Sequence, residues 1–442
     1  LGAFTRATSA GTIRFNLPTG TQNSTNGFRT TSTNLNGILG AWATVADAAG
    51  ATNFAANDGS GGVVLVTSTT KADVTTWSPF ENLTDGASGY SGTLAQNLSV
   101  NSLRFNSAAD SAVTLAAGRV LTVVSGGVLQ TSAGVGSTVA PSLTGGRLVS
   151  GASNELIFTT DVTTPSRPLT VSSAIGGAHT LTKTGDGTLK LSSANNDFTG
   201  VTYLKAGTLQ VTGGNAIGDS SLVNISTTRS SVFELLGNET IGGIVGGNSA
   251  AGGESYVRLN ANTLRVNQTA SQNLTLFLTG DAGSSFILNA GSVGNLNYNQ
   301  NTSATFLGSL IVNGGLFQMS GNGALGASDI TVTRAAVLRD PAIASGIGQF
   351  GAIQAIEAAG LKPGKDITIV TIDAIKEAIR KDYGHFGESI LRPNFAAVDA
   401  ALAHLQPLVV PADGTEVLSL NPRDESLAGD ASARLTPAAL LF

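Results

Sequence analysis

The sequence contains no cysteine, and only 12% of its 442 residues are charged. The lack of cysteine excludes disulfide bonds and thiolate metal sites. The charged fraction is about half of the roughly 25% found in typical globular domains. Serine, threonine, asparagine and glycine must therefore cover much of the surface, which is typical of extracellular β proteins and unlike cytoplasmic helical enzymes.

Basic clusters and long apolar runs are also missing. The net charge is −5, and no group of lysines and arginines supplies the footprint that nucleic-acid binding needs. No apolar run approaches the ~18 residues of a transmembrane helix. We therefore expect neither a nucleic-acid partner nor a membrane span in this chain. Aromatic residues make up only 5%, which argues against a surface dedicated to sugar stacking.

Glycine is abundant, with 56 residues against a typical share of ~7%. It separates short stretches in which apolar and polar residues alternate, such as Leu103-Arg104-Phe105, Val120–Val123 and Leu169-Thr170-Val171. Alternation with a period of two predicts half-buried strands, and glycine predicts the sharp turns between them. Hydrophobic residues make up 41% of the chain, enough for a substantial core.

One short sequence recurs at close spacing. Gly187-Thr188-Leu189 returns as Gly207-Thr208-Leu209, and each copy leads into an alternating stretch. A repeat of about twenty residues is the size of one turn of a stacked β architecture. A single such turn cannot bury its apolar face, whereas stacked turns bury it against each other and pair their backbones. The sequence therefore predicts a parallel β-helix.

A longer similarity links two more distant segments. Residues 207–218 (GTLQVTGGNAIG) resemble residues 315–326 (GLFQMSGNGALG) without a gap, and each is followed by a strand-like stretch. We interpret this offset as about five turns of roughly twenty residues each.

The composition predicts three regions. Residues 1–60 form an N-terminal β region or cap, residues 61–338 a β-helix repeat array, and residues 339–442 a C-terminal α/β-like region. In the last region the spacing predicts helices at 343–360, 374–383 and 395–405, and a buried strand at 367–372. The predicted fold is thus mainly β, with a smaller C-terminal α/β or helical region.

The segment 181–211 resembles the autotransporter-associated β-strand repeat, also called the passenger-associated transport repeat. The resemblance covers about residues 30–335 but is strong only at 181–218. It implies a secreted, surface-attached, right-handed parallel β-helix of a bacterium. The residues that match the repeat in order are Gly185, Gly187, Thr188, Leu189, Leu191, Asn195, Phe198, Thr199, Gly200, Thr202, Leu204, Gly207, Thr208, Leu209 and Val211.

The segment 348–373 (GQFGAIQAIEAAGLKPGKDITIVTID) resembles a different family, the periplasmic sugar-binding proteins of ABC transporters. In that family the strand ends near an aspartate that can contact the sugar, which implies Asp373 here. The match covers a helix and a strand only, and the family's upstream Asn-Asp pair is missing. We therefore interpret it as a small α/β unit, and sugar binding at Asp373 stays an alternative.

No metal or cofactor site is expected. The three histidines, His179, His385 and His404, are far apart in the sequence, so a metal site would need carboxylates. Asp58, in a glycine-rich stretch, could bind calcium through oxygen ligands, but no calcium-loop pattern surrounds it, and a turn is favoured. Gly185-Asp186-Gly187 resembles a phosphate loop, but no helix pattern follows it.

No catalytic group is expected either. Glu155, Asp161, Glu234 and Glu254 could pair as the carboxylates of a glycosidase or lyase, but solvated positions on the strands are favoured. Two tryptophans and a tyrosine could form a sugar-stacking surface, although packing at the end of the β-helix is favoured for Trp42, Trp77 and Tyr90. No nucleophile–histidine–acid grouping is recognisable.

These observations favour a non-catalytic structural or adhesive protein, extracellular or on the outer surface of a bacterium. Solenoid ends present unpaired backbone groups, and a contact that does not close makes an open fibre. We therefore predict a homo-oligomer or head-to-tail filament. The alternative is a secreted β-helix that binds or cleaves polysaccharide, with a surface glycan as its partner.

Overall fold

The structure is a computed structural model, and most of the residues it describes precede residue 340. The described residues are 2–6, 10–23, 25–131, 140–151, 153–162, 167–226, 229–247, 253–320, 323–326, 329–332, 336–339, 376, 379–381, 391–392, 394–396 and 418–420. The expected helices at 343–360, 374–383 and 395–405, the strand at 367–372, and Asp373, His385 and His404 lie wholly or mostly outside them. They stay predictions.

The N-terminal residues form a four-stranded sheet in the order β1-β2-β3-β4. β1 and β2 are parallel, whereas β2–β3 and β3–β4 are antiparallel. The strands carry a small apolar core that includes Phe15, Val45 and Val63. Their bounds are β1 (Ile13–Asn16), β2 (Ala43–Ala46), β3 (Thr52–Asn57) and β4 (Val63–Leu65).

The described strands from Thr69 to Arg339 coil into a parallel β-solenoid, and one further strand, Leu418–Leu420, follows them. A 3₁₀ turn at Val74–Thr76 interrupts the strands near the start of the solenoid. The strands are β5 (Thr69–Thr70), β6 (Asn82–Thr84), β7 (Thr93–Leu94), β8 (Leu98–Phe105), β9 (Ala112–Gln130), β10 (Ser142–Ser150), β11 (Glu155–Thr160), β12 (Leu169–Val171), β13 (Ala174–Ile175), β14 (Thr180–Thr184), β15 (Thr188–Leu191), β16 (Thr202–Leu204), β17 (Gly207–Val211), β18 (Leu222–Ile225), β19 (Ser231–Leu235), β20 (Glu239–Ile241), β21 (Gly243–Gly247), β22 (Ser255–Arg258), β23 (Thr263–Val266), β24 (Gln272–Thr275), β25 (Phe277–Thr279), β26 (Ser285–Leu288), β27 (Asn295–Tyr298), β28 (Asn301–Thr302), β29 (Ser309–Val312), β30 (Gly315–Met319), β31 (Ala324–Leu325), β32 (Ile330–Val332), β33 (Ala336–Arg339) and β34 (Leu418–Leu420).

Three stacks of strands run along the solenoid, which we name faces A, B and C. Face A contains β5, β6, β8, the end of β9, β11, β14, β16, β18, β21, β24, β27, β30 and β33. Face B contains β7, the start of β9 and of β10, β12, β15, β17, β19, β22 and β25. Face C includes β20, β23, β26, β29 and β32, and β34 pairs antiparallel with β32.

Alternation along each strand explains why the coil stacks. On face B, Leu189 pairs in register with Leu209, and Leu209 pairs with Phe233; all three are fully buried. Each inward residue therefore packs on the one in the next turn and removes apolar surface from water. The expected mainly β fold with a parallel solenoid is confirmed, and the GTL repeat occupies neighbouring turns.

The longer sequence similarity was interpreted wrongly. GTLQV (207–211) forms β17 on face B, whereas GLFQM (315–319) forms β30 on face A. The two segments therefore do not occupy equivalent places a whole number of turns apart. The reason is that turn length varies: Leu83 pairs with Leu103, Leu103 with Val128, and Val128 with Phe158, which are steps of 20, 25 and 30 residues.

Glycine is required where a turn brings backbones into contact. Gly207 has a φ of +69°, and a Cβ atom there would lie 2.4 Å from the carbonyl oxygens of Gly185 and Gly187 in the preceding turn. A side chain at this position would meet both backbone strain and a clash. This close approach accounts for the glycine of the GTL repeat.

The N-terminal sheet lies against the outside of face A. Phe54 of β3 and Leu129 of β9 belong to one apolar cluster, and Asn82 donates a hydrogen bond to the carbonyl oxygen of Asn36. Every residue of β11 is consequently buried, on both sides of the strand. In β16 and β18, buried residues alternate with half-buried ones, and β24 contains an exposed residue, so the N-terminal region covers only the earlier turns.

Candidate functional site

Lys183 occupies an inward position on face A, within the segment that resembles the transport repeat. Its register neighbours are Phe158 and Leu204, both fully buried, and Lys183 itself is fully buried. Its Nζ atom donates to the carbonyl oxygens of Thr184 at 3.0 Å, Gly185 at 2.7 Å and Ala206 at 2.9 Å. A lysine thus satisfies backbone acceptors of two successive turns inside the coil.

Burial lowers the pKa of Lys183 to about 7, and the nearby carboxylates of Asp161 and Asp186 oppose this shift. The three carbonyl contacts hold the ammonium form best, because all three of its protons then have an acceptor. This group could have been found from the sequence, since Leu181 and Lys183 fall on the same side of an alternating strand. Our prediction overlooked it.

Two of the four carboxylates considered for catalysis hold the N-terminal segment. Glu155 Oε2 lies 2.5 Å from Arg6 Nη1, and Glu155 Oε1 accepts from the Thr182 hydroxyl at 2.6 Å and from the Ala10 amide at 3.0 Å. Asp161 Oδ2 lies 2.8 Å from Arg14 Nη1. Burial raises the pKa of Asp161, and Arg14 opposes that effect. These contacts place Glu155 and Asp161 in a clasp that fixes the N-terminal segment on face A.

The other two carboxylates lie among outward side chains of face B. Glu234 Oε2 accepts from Gln210 Nε2 at 2.9 Å, and Glu254 accepts from the Tyr256 hydroxyl. That hydrogen bond raises the pKa of Tyr256, with further contributions from desolvation and the charge of Glu254. All four carboxylates therefore have a protein partner.

Aromatic rings also line the outside of face B. Tyr256 pairs in register with Phe277, and their ring centroids are 5.2 Å apart with 28° between the planes. The guanidinium carbon of Arg258 lies 5.3 Å from the centroid of the Tyr256 ring. Sequence reasoning missed this pair, because the two residues belong to different turns of variable length.

A row of buried polar side chains joins successive turns at one corner. Asn196 accepts from the amide of Ile175 and donates to the carbonyl of Ala216, both at 2.7 Å. Glu239 accepts from the amides of Ala216 at 3.2 Å and Ile217 at 2.8 Å. Burial raises the pKa of Glu239 to about 7, and the two amide contacts oppose that rise. These groups satisfy backbone atoms where the strands are interrupted.

The aromatic residues considered for sugar stacking are placed differently. Trp77 and Tyr90 are buried inside the first turns, with centroids 5.1 Å apart, and Tyr90 contacts Phe105 edge-on at 5.2 Å. Trp42 is half-buried in the N-terminal sheet, with its ring 6.3 Å from that of Phe4. The structure therefore does not bring these three residues together as a surface.

The remaining sequence candidates that fall within the described residues have structural partners. His179 contacts the carbonyl oxygen of Gly176 at 2.7 Å, and burial lowers its pKa. Asp58 accepts from the amides of Ser60 at 2.7 Å and Gly62 at 2.9 Å within a turn. The segment 185–187 forms a bend between β14 and β15. Across the part of the chain that the structure describes, no three metal-binding side chains cluster.

Comparison with known proteins supports the repeat assignment. Residues 181–211 match the model of the passenger-associated-transport-repeat. The chain is also 34% identical over 226 residues to the Adhesin BmaC autotransporter of Brucella suis biovar 1, which covers 47% of this chain and 6% of that protein. The chain thus corresponds to a small part of the length of that relative. The expected resemblance to autotransporter-associated repeat proteins is confirmed.

No solved structure matches the chain. Among the residues described above, no helix has the length and apolar character needed to cross a membrane.

Proposed function

We propose, from the premise that the chain carries a passenger-associated transport repeat, that it is a non-catalytic adhesive segment of a bacterial surface protein. The similarity to a protein named as an autotransporter adhesin supports an extracellular or outer-surface location and an adhesive role. In this proposal the solenoid is the passenger part that contacts another surface.

The observation that carries the proposal is the continuous parallel ladder of face A, from β5 to β33. Each turn adds about 4.8 Å along the axis, so the coil lengthens without widening. Its inward residues form one apolar cluster from Val74 to Met319. Such a rod can hold an outward face away from the cell while its core keeps the faces in register.

The sequence alternative of polysaccharide cleavage receives less support than adhesion. Two of the candidate carboxylates contact arginines of the N-terminal segment, and the others accept hydrogen bonds from Gln210 and Tyr256. General acid–base catalysis needs carboxylates that reach the scissile bond. The partners of these four groups favour structural roles for them.

Two finer features complete the proposal. The coil is right-handed, because connections between parallel strands of one sheet have that hand in about 98% of cases.

Head-to-tail assembly would use the outer edge of β5, which pairs only with β6 among the described strands. That edge is two residues long and is followed by Lys71, and short edges beside a lysine resist strand addition. We therefore propose adhesion as the main function and filament formation as the less supported one.

Adhesion is tested with beads that carry the purified chain. We expect such beads to remain on cultured epithelial cells after washing, whereas beads carrying heat-unfolded protein or albumin are removed. Equal retention of all three kinds of bead would contradict the adhesive function. Electron microscopy of the same protein tests assembly: filaments support the head-to-tail contact, and single rods at high concentration contradict it.

A further inference from the structure

The outside of face B carries two neighbouring rows of side chains, which we call the ring strip. In β22, the inward residues Ser255 and Val257 are fully buried, so Tyr256 and Arg258 point outward. The register continues one row as Thr188, Thr208, Val232, Tyr256 and Phe277, and the other as Lys190, Gln210, Glu234 and Arg258. Both rows follow the solenoid axis.

The two rows differ in chemistry. Along the axis, the residues of the first row change from threonine to valine and then to the aromatic residues Tyr256 and Phe277, whose rings are half-exposed. The second alternates hydrogen-bond donors and acceptors: an ammonium, an amide, a carboxylate and a guanidinium. The strip itself contains two cations, Lys190 and Arg258, and one carboxylate, Glu234. Glu254 lies beside the strip and accepts from the Tyr256 hydroxyl, so the charges are balanced when it is counted with the strip.

This combination selects among classes of ligand. A polyanion would meet the carboxylates of Glu234 and Glu254, and a polycation would meet Lys190 and Arg258. An added peptide strand needs a free sheet edge, whereas β22 pairs with β19 on one side and β25 on the other. A ligand whose groups both donate and accept hydrogen bonds, and which also has C–H groups to pack on aromatic rings, fits both rows.

We propose that the ring strip binds a neutral glycan that lies along the solenoid axis, with its sugar rings against the outward edges of the Tyr256 and Phe277 rings, which stack on each other. Gln210 Nε2 donates to Glu234 Oε2, and sugar hydroxyls, which both donate and accept, match the other polar atoms of Gln210 and Glu234 and the guanidinium of Arg258. The spacing of about 4.8 Å between turns is close to the length of one pyranose unit in an extended chain. The inference rests on the proposed adhesive function and names its ligand class.

The experiment uses the full chain on an array of neutral and sulfated oligosaccharides, followed by calorimetry with cellohexaose. We expect binding to extended neutral oligosaccharides, and an affinity about tenfold lower for Tyr256→Ala and for Phe277→Ala, because each loses a ring contact. Tyr256→Phe keeps the ring and should bind within about twofold of the wild type.

Tyr203→Ala is the matched control. Tyr203 is also an outward, half-buried tyrosine with a cation against its ring, since Lys205 Nζ lies 5.2 Å from its centroid, but it lies on face A. It should bind like the wild type. A loss equal to that of Tyr256→Ala would overturn the proposal, as would binding to sulfated sugars alone or to no neutral sugar. Circular dichroism confirms that each variant is folded.

Bead adhesion tests the glycan site and the adhesive function separately. If Tyr256→Ala beads adhere to epithelial cells as well as wild-type beads do, the ring strip is not the adhesive site, and the adhesive function stands. If wild-type beads do not adhere, the proposed function fails. Reduced adhesion of the Tyr256→Ala beads, with Tyr203→Ala beads unaffected, supports both.

Discussion

Lys183 donates a hydrogen bond to the carbonyl oxygen of Ala206, with 2.9 Å between the two atoms. The residues belong to successive turns, and the lysine lies in a row whose other members are mainly apolar. The Lys183 amino group inside the coil thereby links one turn to the next. This contact falls within the segment that matches the transport repeat, so the repeat contains a polar link as well as an apolar ladder.

Replacement of this lysine should destabilise the solenoid. Lys183→Met keeps most of the side-chain volume but leaves the carbonyls of Thr184, Gly185 and Ala206 without this donor. We expect a loss of about 1–3 kcal/mol in the free energy of unfolding at pH 7, measured by urea denaturation. Lys190→Met, on the outside of face B, is the control and should change the free energy by less than about 0.5 kcal/mol. Equal effects would contradict a special role for Lys183.

The difference in stability between the wild type and Lys183→Met should depend on pH. The pKa of Lys183 is about 7 in the folded chain and 10.5 when unperturbed. Between these values the unfolded chain binds the extra proton, so stability rises with pH. The contribution is complete above the unperturbed pKa and is lost as the pH falls to 7. We therefore expect the stability of the wild type, relative to Lys183→Met, to increase from pH 7 to 10. A flat difference would contradict the shift.

Glu239 should act in the opposite direction at lower pH. Its pKa is about 7 in the folded chain against 4.5 unperturbed, so the folded chain binds the extra proton between those values. Its stabilisation is complete below pH 4.5 and is lost as the pH rises through 7. Glu239→Gln keeps an oxygen acceptor for the amide of Ile217 but does not titrate. Urea denaturation of the wild type and of Glu239→Gln should show that only the wild type loses this stabilisation as the pH rises from 4.5 through 7. Identical pH profiles would contradict this.

The clasp at Glu155 should hold the N-terminal segment on face A. Glu155→Ala removes the acceptor for Arg6, Ala10 and Thr182, and leaves the arginine without its charge partner. We expect faster hydrogen exchange in residues 10–16, while the turns after β16 are unchanged. Asp197→Ala removes an exposed ion pair with Arg147, and such pairs contribute little. If both variants exchange alike, the clasp does not fix the segment.

Much of the solenoid could be predicted from local pattern, and the reason is physical. Inward residues such as Leu189 and Leu209 must be apolar, and the position of Gly207 has no room for a side chain. Both requirements can be recognised in the sequence. The length of each turn cannot be recognised in this way, since loops of different size join equivalent strands. The assignment of residues 207–218 and 315–326 to equivalent places failed for that reason.

The candidate site depended on contacts that alternation cannot show. Arg6 and Glu155 are 149 residues apart, and nothing near either residue specifies the other. Lys183 and Glu239 are charged residue types at inward positions, where apolar residues are expected. We did not recognise them as candidates, because a strand is predicted when most, not all, of its inward residues are apolar. The Tyr256–Phe277 pair needs the register between turns, which only the structure supplies.

The central claim is that adhesion belongs to the folded solenoid, and one measurement tests it most directly. Retention of beads on epithelial cells is compared for the wild type and for Leu209→Asp, which buries an unpaired carboxylate in the face B ladder and should unfold the coil. Asn224→Asp, at an outward position of β18 on face A, adds the same charge to the folded rod away from the ring strip and is the control. We predict that Leu209→Asp abolishes retention and that Asn224→Asp keeps most of it. Full retention of unfolded Leu209→Asp would contradict the account.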